Sequence, residues 1–139
     1  MSRRGCNILL ACISLLVGGT LYACFRSTTY IAIALRSIPG IATLSQKAAV
    51  VSCDFLSYYF PDFLWAFSLC CALNAIHLPG RCVTLLCGIG TAALGVLWEV
   101  LQYTHIVSGT GDLWDIFVYF LAALLATIIN LGGRKHEKI

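Results

Sequence analysis

The residues best able to do chemistry form two closely spaced polar pairs in the second half of the chain. Glu99 and Gln102 are three residues apart. Asp112 and Asp115 repeat this spacing after a short connection, and Tyr119 follows one helical turn later. Residues three apart share one face of an α-helix. Each pair therefore presents its side chains together, and we expect the two faces to meet because the connection between them is short.

Two kinds of chemistry would use such a cluster. Carboxylate oxygens are the ligands that Mg²⁺ and Ca²⁺ prefer, and Glu99, Asp112 and Asp115 would supply them. A cation held there would permit a metal-dependent reaction on a lipid-linked phosphate, with a general base or metal-bound water. Alternatively, the cluster binds the head group of an envelope lipid without catalysis. A third possibility is structural, with the cluster fastening two helices inside an assembly subunit.

Asp62 and His105 complete the candidate set, and simpler explanations exist for several members. Asp62 follows a proline and Asp112 follows a glycine, so each carboxylate could merely complement the dipole at a helix N-terminus. His105 falls in the connection between the two pairs, where a solvated side chain is common. Glu99 is different because it falls near a helix C-terminus, where a carboxylate needs a partner or a proton. Asp115 lies within an otherwise apolar run, where an ionisable residue indicates function.

The composition identifies the elements that carry these residues. Of the 139 residues, 60% are hydrophobic and only 11% are charged. Soluble domains carry about 25% charged residues, so this chain has too few to cover a water-exposed surface. Lipid-facing side chains need no charge. The composition therefore predicts an integral membrane protein, and the net charge of +3 gives no reason to expect nucleic acid as a partner.

Four apolar blocks have the length of membrane-spanning helices, which need roughly 20 residues. They cover residues 7–25, 60–78, 82–102 and 113–131, and none alternates with the period of two typical of a membrane β-barrel. We predict an all-α, polytopic transmembrane helical bundle with four spans. Residues 26–59 are more polar and are predicted to form a loop with interfacial helices. The alternative for this segment is a fifth span through residues 48–60.

Lysines and arginines predict the orientation of the bundle. Four spans place six of them on one side and three on the other; the six are Arg3, Arg4, Arg81, Arg134, Lys135 and Lys138. Because positive residues accumulate on the cytoplasmic side, we expect both termini in the cytoplasm and the acidic cluster at the outer face. The first apolar block, although preceded by two arginines, is expected to remain as a span and not to be removed as a signal.

Cysteines and tryptophans have simple explanations in a membrane protein. Most of the eight cysteines fall in apolar blocks, where cysteine behaves as a small hydrophobic residue. Cys24 and Cys53 would both lie near the outer face, and a disulfide between them is the alternative. Trp65, Trp98 and Trp114 border the acidic cluster in the predicted topology. They are interpreted as an interfacial aromatic belt, with a ligand platform as the alternative.

The order of these motifs resembles a known family. Residues 98–102 read W-E-V-L-Q and residues 112–115 read D-L-W-D. This is similar to the E-x-x-Q … D-x-x-D pattern of VanZ-like proteins, and residues 59–67 with 108–112 resemble small bacterial membrane proteins near that family. The resemblance extends over residues 59–131. Two departures are the absence of the arginine that many relatives carry after the glutamine, and Tyr119 where an asparagine is common.

The resemblance implies a small multi-pass protein of the bacterial cytoplasmic membrane. The name-giving member of the family is associated with low-level glycopeptide resistance, and no settled catalytic activity comes with the family. The implied partners are membrane lipids and a lipid-linked envelope precursor. The sequence therefore favours binding of an envelope component at the outer-face cluster, with a metal-dependent membrane enzyme or a structural subunit as alternatives.

Overall fold

The computed structural model describes residues 2–25, 34, 37–40, 55–76, 80–107 and 111–132. These residues form four long α-helices, and no strand occurs among them. The helices are α1 (Arg3–Phe25), α2 (Phe60–Ile76), α3 (Arg81–Tyr103) and α4 (Leu113–Gly132). All four are long and apolar enough to cross a membrane. The predicted all-α bundle with four spans is confirmed, and the chain is a multi-pass membrane protein.

The observed helix α1 extends beyond the predicted span at its charged end. It begins at Arg3, whereas the apolar block begins at residue 7. The Arg3 guanidinium donates a hydrogen bond to the backbone carbonyl of Asn130, in the last turn of α4. The carbonyls of a last helical turn lack intrahelical donors and carry partial negative charge. Arg3 therefore fits at this end of the bundle because the C-terminus of α4 lies beside it.

A single turn of π-helix, Phe55–Tyr59, leads directly into α2. Pro61 follows this turn and is buried, and its missing N–H interrupts the regular hydrogen-bond pattern at this point. The continuous helix from Ser57 to Ile76 has 20 residues, enough to span a bilayer. Residues 55–59 thus extend the second span. Most of the predicted interfacial segment, and residues 48–54 of the alternative fifth span, lie outside the described residues.

Helix α2 is the centre of the bundle. It packs against α1, α3 and α4, and α3 also packs along α4. Helices α1 and α3 flank α2 without making a comparable contact with each other. The core between the helices consists mainly of small side chains; its buried members are Ala11, Ala66, Phe67, Cys70, Cys71, Ala122 and Ala126. Small residues are typical of membrane helix interfaces because they let backbones approach closely.

Glycines on α3 permit the closest of these approaches. A Cβ atom at Gly95 would lie 2.5 Å from Cδ2 of Tyr119, and one at Gly88 would overlap the hydroxyl of Thr127. Both neighbours belong to α4. A side chain at either glycine would therefore force the two helices apart.

Polar side chains also join helices that are distant in sequence. The Asn7 amide donates to the side-chain oxygen of Asn130 at 2.7 Å, which links α1 to α4. The hydroxyl of Ser68 donates to the carbonyl of Ala11 at 2.8 Å, which links α2 to α1. The side chains of Asn7, Ser68 and Asn130 are polar and buried. Each of these hydrogen bonds therefore satisfies polar groups that lipid could not satisfy.

The described cysteines fall into two groups: Cys24, Cys70, Cys71 and Cys87 are buried, whereas Cys6, Cys12 and Cys82 are exposed. Cys70 and Cys71 are fully buried in the core between the helices, and Cys87 is buried on α3. This agrees with the interpretation of cysteine as a small hydrophobic residue. The alternative disulfide between Cys24 and Cys53 involves a residue outside the described part of the chain.

Candidate functional site

Glu99 is the centre of the predicted acidic cluster. It lies in the last turns of α3 and is only 3% exposed. Its Oε2 accepts a hydrogen bond from the backbone N–H of Asp112 at 3.0 Å, and its Oε1 accepts one from the Tyr119 hydroxyl at 3.3 Å. One carboxylate oxygen therefore accepts from the N-cap of α4 and the other from a tyrosine about two turns into that helix. The N-terminus of α4 supplies the partner that a carboxylate at a helix C-terminus requires.

Asp112 is the N-cap of α4. Its Oδ1 accepts a hydrogen bond from the backbone N–H of Trp114 at 3.0 Å, the usual capping geometry. Its Oδ2 accepts a second bond from the Tyr59 hydroxyl at 3.2 Å, which ties the π-helical turn to α4. The simple explanation of Asp112 as a helix-terminal carboxylate is thus correct, with an additional bond to a neighbouring element.

Tyr119 connects the remaining acidic residues. Its hydroxyl donates to Glu99, and three carboxyl groups interact electrostatically with it, those of Asp62, Glu99 and Asp115. Asp115 lies in the first turn of α4, and its Oδ1 is buried. The structure therefore gathers three acidic residues around Tyr119 at one end of the bundle, and Asp112 lies beside Glu99. We call this end, where Asp62, Glu99 and Asp112 lie, the acidic end.

Two further candidates lie at the C-terminal end of α3: Gln102 is in its last turn and His105 follows the helix. The backbone carbonyl of Gln102 accepts the N–H of His105 at 2.9 Å, and that of Leu101 accepts the N–H of Ile106 at 3.0 Å. This pair of bonds is a Schellman motif, with His105 in the left-handed position at φ 59°. The His105 side chain is exposed. His105 therefore ends the helix and lies outside the buried cluster, while Gln102 is half-buried beside it.

A tight connection presses α4 against α3. A Cβ atom at Gly111 would lie 2.9 Å from the carbonyl oxygen of Glu99 and 3.0 Å from Cβ of Tyr103. Glycine is required here because the incoming chain passes directly over the end of α3. This contact brings the backbone N–H of Asp112 within reach of Glu99.

The structure does not assemble the predicted metal ligands. Among the described residues, no group of three or more His, Cys, Asp and Glu is placed to hold a metal ion. Glu99, Asp112 and Asp115 all belong to the described part, so the predicted Mg²⁺ or Ca²⁺ ligand set is not formed by them. The physical reason is that the oxygens of Glu99 and Asp112 are directed at backbone N–H groups and tyrosine hydroxyls.

A groove beside the cluster was not anticipated from the sequence. It has a volume of about 690 Å³ and lies between α1 and α3, with α2 as its floor. Its lining comprises Leu15, Tyr22, Asp62, Trp65, Ala66, Ser68, Leu69, Ala72, Thr91, Leu94, Gly95, Trp98 and Tyr119. Asp62 is the one acidic residue among these, and the described lining contains no Lys, Arg or His. Apolar and aromatic side chains therefore line most of the groove, and one carboxylate lies at its acidic end.

The aromatic wall of the groove is held by packing. A Cβ atom at Gly18 would lie 3.0 Å from Cδ1 of Trp65, so the indole lies directly against α1. The ring centroids of Tyr22 and Trp65 are 6.3 Å apart. Trp65 and Trp98 line the groove, whereas Trp114 does not. The positions of Trp65 and Trp98 are therefore consistent with a platform for a ligand, and the position of Trp114 is consistent with an interfacial aromatic residue.

Helical spacing provides part of the signal for this groove. On α2 each of the lining residues Asp62, Trp65, Ala66, Ser68, Leu69 and Ala72 is three or four residues from another member of the set. Thr91, Leu94, Gly95 and Trp98 do the same on α3. Each helix thus contributes one continuous face. The sequence does not indicate that these two faces border the same space.

Comparison of the chain with protein-family models, with curated proteins and with solved structures finds no match. The VanZ-like resemblance remains a prediction from the motifs quoted above.

Proposed function

We propose that the protein binds an amphiphilic lipid of the bacterial cell envelope in this groove, without covalent catalysis. The observation that carries the proposal is the groove itself. Its volume of about 690 Å³ lies within the roughly 300–1,000 Å³ of ligand sites. Apolar side chains form most of its lining, and one carboxylate marks one end. This distribution matches a molecule with a hydrocarbon tail and a polar head group.

The length of the groove supports a ligand that occupies one leaflet. From Asp62 to Ala72 the helix α2 rises by about 15 Å, at 1.5 Å per residue. The hydrocarbon core of a bilayer is about 30 Å thick, so the groove extends through about half of it. A lipid whose head group is beside Asp62 would place its tail along α2 toward the bilayer centre.

The proposed orientation places this head group outside the cell. The distribution of lysine and arginine favours cytoplasmic termini in the bacterial inner membrane. The acidic end would then lie at the outer face of this membrane. The VanZ-like motifs point in the same direction, and glycopeptide susceptibility is accordingly the phenotype to examine.

The non-catalytic part of the proposal rests on the hydrogen bonds of the acidic cluster. Glu99 and Asp112 use both of their carboxylate oxygens to fasten α3, α4 and the π-helical turn together. Neither residue lines the groove. The cluster thus joins the helices that border the groove, and Asp62 is the acidic residue in the described lining of the groove.

A matched pair of substitutions tests the groove. Ala72 lies on its floor, whereas Ala93 is exposed on α3 and does not line it. Ala72→Phe should fill the groove, and Ala93→Phe adds the same ring at a lipid-facing position. The lipids that remain bound to each purified protein are measured by native mass spectrometry. We expect bound lipid in the wild type and Ala93→Phe, and its loss in Ala72→Phe.

Ala72 also packs against the core, so Ala72→Phe could disturb the fold as well as fill the groove. A second pair of variants therefore tests the groove at another position. Leu94 lines the groove and Leu97 does not, yet both are 52% exposed on the same helix. Leu94→Phe should reduce lipid retention and Leu97→Phe should not. Equal retention in all four variants would contradict lipid binding in the groove. Glycopeptide susceptibility of cells carrying the same variants tests the link to the envelope.

A further inference from the structure

Resting on the lipid-binding function proposed above, we infer that the groove takes a lipid whose head group is a planar conjugated ring, such as a substituted quinone on a hydrocarbon tail. The described lining is divided along the length of the groove. Its aromatic rings are concentrated at the acidic end, and its leucines lie nearer the bilayer centre. The structure therefore offers ring surfaces to a head group and an aliphatic surface to its tail.

Four aromatic side chains meet at the acidic end of the groove: Tyr22, Trp65, Trp98 and Tyr119. Trp65 lies in the second turn of α2, and Trp98 directly precedes Glu99 on α3. The hydroxyl of Tyr119 bonds to the same Glu99. Tyr22 joins them from α1, because its ring centroid is 6.3 Å from that of Trp65. Each of the four helices thus contributes one ring to this end of the groove.

The aliphatic part of the lining lies deeper and comprises Leu15, Leu69, Ala72 and Leu94. Leu94 is one helical turn from Trp98, in the direction of the bilayer centre. Leu15 is seven residues from Tyr22, which places it about 10 Å deeper along α1. A ring held at the acidic end would therefore be followed by a hydrocarbon tail along these side chains.

The two tryptophans of the groove present ring surface to a ligand. Trp65 is 42% exposed and Trp98 is 48% exposed. A Cβ atom at Gly18 would lie 3.0 Å from Cδ1 and 3.3 Å from Nε1 of Trp65, so the pyrrole edge of this indole is turned toward α1. This contact and the ring of Tyr22 hold Trp65 in place, which reduces the entropy lost on binding. A flat ring would add to this group by offset or edge-to-face stacking.

Hydroxyl groups in the groove give a head group little to bond with. Ser68 and Thr91 each donate to a backbone carbonyl at 2.8 Å. Tyr119 donates to the carboxylate of Glu99 at 3.3 Å. A hydroxyl has one proton to donate, so these three protons are already used within the protein. Recognition by stacking therefore fits this lining better than recognition through many hydrogen bonds.

Two matched ligands test whether the groove recognises a flat ring. Both carry a decyl chain; one has a fully substituted benzoquinone as its head group, and the other has the saturated cyclohexanedione with the same substituents. Full substitution prevents addition of the exposed cysteine thiols to the quinone. The purified protein is titrated in maltoside micelles, and bound ligand is measured by native mass spectrometry. We expect half-maximal binding of the quinone at a concentration about tenfold lower, because only the conjugated ring is flat enough to stack on indole.

Tryptophan variants identify the source of this preference. Trp98→Leu keeps an apolar side chain and should remove most of the tenfold difference, which corresponds to about 1.4 kcal/mol. Trp65→Leu should act in the same way at a second position. Trp114→Leu is the matched control, because Trp114 is 65% exposed and does not line the groove. It should keep the full preference.

Three results would overturn the inference: equal binding of both ligands, a preference that Trp65→Leu and Trp98→Leu both retain, or a preference that Trp114→Leu also abolishes. Equal binding that is lost in Ala72→Phe and Leu94→Phe would support lipid binding in the groove and refute recognition of a ring. Binding of both ligands that Ala72→Phe and Leu94→Phe leave unchanged would refute binding in the groove itself.

Discussion

Glu99 illustrates how a single residue in a membrane can be costly and still be structural. Its carboxylate is nearly inaccessible and lies at the end of a helix that disfavours negative charge. Two hydrogen bonds, from the backbone N–H of Asp112 and the hydroxyl of Tyr119, compensate for that position. Because these bonds connect α3 to α4, Glu99 contributes to helix association. Its buried carboxylate is satisfied without a ligand.

Substitution of Glu99 separates this structural role from a role of its charge. Glu99→Ala removes two interhelical bonds, and each such bond in a membrane contributes about 0.6 kcal/mol on average and up to about 1.7 kcal/mol. We expect the free energy of unfolding to fall by about 1–3 kcal/mol in Glu99→Ala, measured by denaturation in mixed micelles. Glu99→Gln keeps one acceptor for the Asp112 N–H and should lose less than Glu99→Ala.

Tyr119→Phe serves as the comparison because it removes only the bond to Oε1 of Glu99. Its effect should be about half that of Glu99→Ala. If Glu99→Gln were as destabilising as Glu99→Ala, the negative charge would be essential to the contact. The role of Glu99 as a hydrogen-bond acceptor would then be an insufficient explanation.

The close contact between α3 and α4 depends on glycines, which have no side chain, at the positions where the helices meet. Gly95 allows the ring of Tyr119 to lie against the backbone of α3, which brings the hydroxyl of Tyr119 to Glu99. The glycine and the glutamate are four residues apart and so lie one turn from each other on the same helix. The geometry of the acidic end thus follows from the close packing of two helices.

Gly95→Ala should therefore be destabilising. The new Cβ would lie 2.5–2.8 Å from three atoms of the Tyr119 side chain, so α3 and α4 would have to separate. Overpacking of this kind costs about 1–3 kcal/mol. Gly90→Ala is the matched control, because nothing lies within 4 Å of a Cβ at that position. We expect a lower melting temperature in detergent for Gly95→Ala alone, and an equal shift for both variants would contradict the packing argument.

At the scale of the whole molecule, the groove results from the arrangement of three helices around α2. Helices α1, α3 and α4 each contact α2, but α1 and α3 are not packed against each other. The space between them is the groove. In a bilayer this space would face lipid, so a ligand could enter sideways from the membrane. The polar bonds Asn7–Asn130 and Arg3–Asn130 join α1 to α4 at the opposite end and keep the arrangement closed there.

The orientation of the bundle is testable by cysteine accessibility. The native cysteines are replaced by alanine, and single cysteines are introduced by Gly80→Cys, between α2 and α3, and Ser108→Cys, between α3 and α4. The unequal distribution of lysine and arginine predicts that position 108 reacts with an impermeant reagent in intact cells. Position 80 should react only after permeabilisation. Gly80 has extended backbone angles that any residue adopts, and a Cβ there makes only ordinary contacts.

The opposite labelling pattern would place the acidic end and the mouth of the groove in the cytoplasm. The proposed binding of an outer-leaflet lipid would then be wrong, although the groove itself would be unaffected.

The sequence by itself determined the helices and their local faces. Runs of about 20 apolar residues predict spans in any bilayer, and the observed bounds differ from the prediction by at most four residues where both ends are described. Spacing of four residues also places Asp115 and Tyr119 on one face of α4, where the structure shows an interaction between them. These features depend only on the length of each apolar run and on the helical period, and both can be read from the spacing of residues in the sequence.

Only the tertiary structure decided which faces meet. It paired Glu99 with the backbone of Asp112, joined Asn7 to Asn130 and placed Asp62 in a groove with Tyr22 and Trp98. In a soluble protein an apolar stripe identifies the buried face of each helix. In a bilayer the lipid-facing side is apolar as well, so hydrophobicity does not distinguish the interior from the exterior. The contacts between small residues and a few polar groups make that distinction, and they exist only after the helices have assembled.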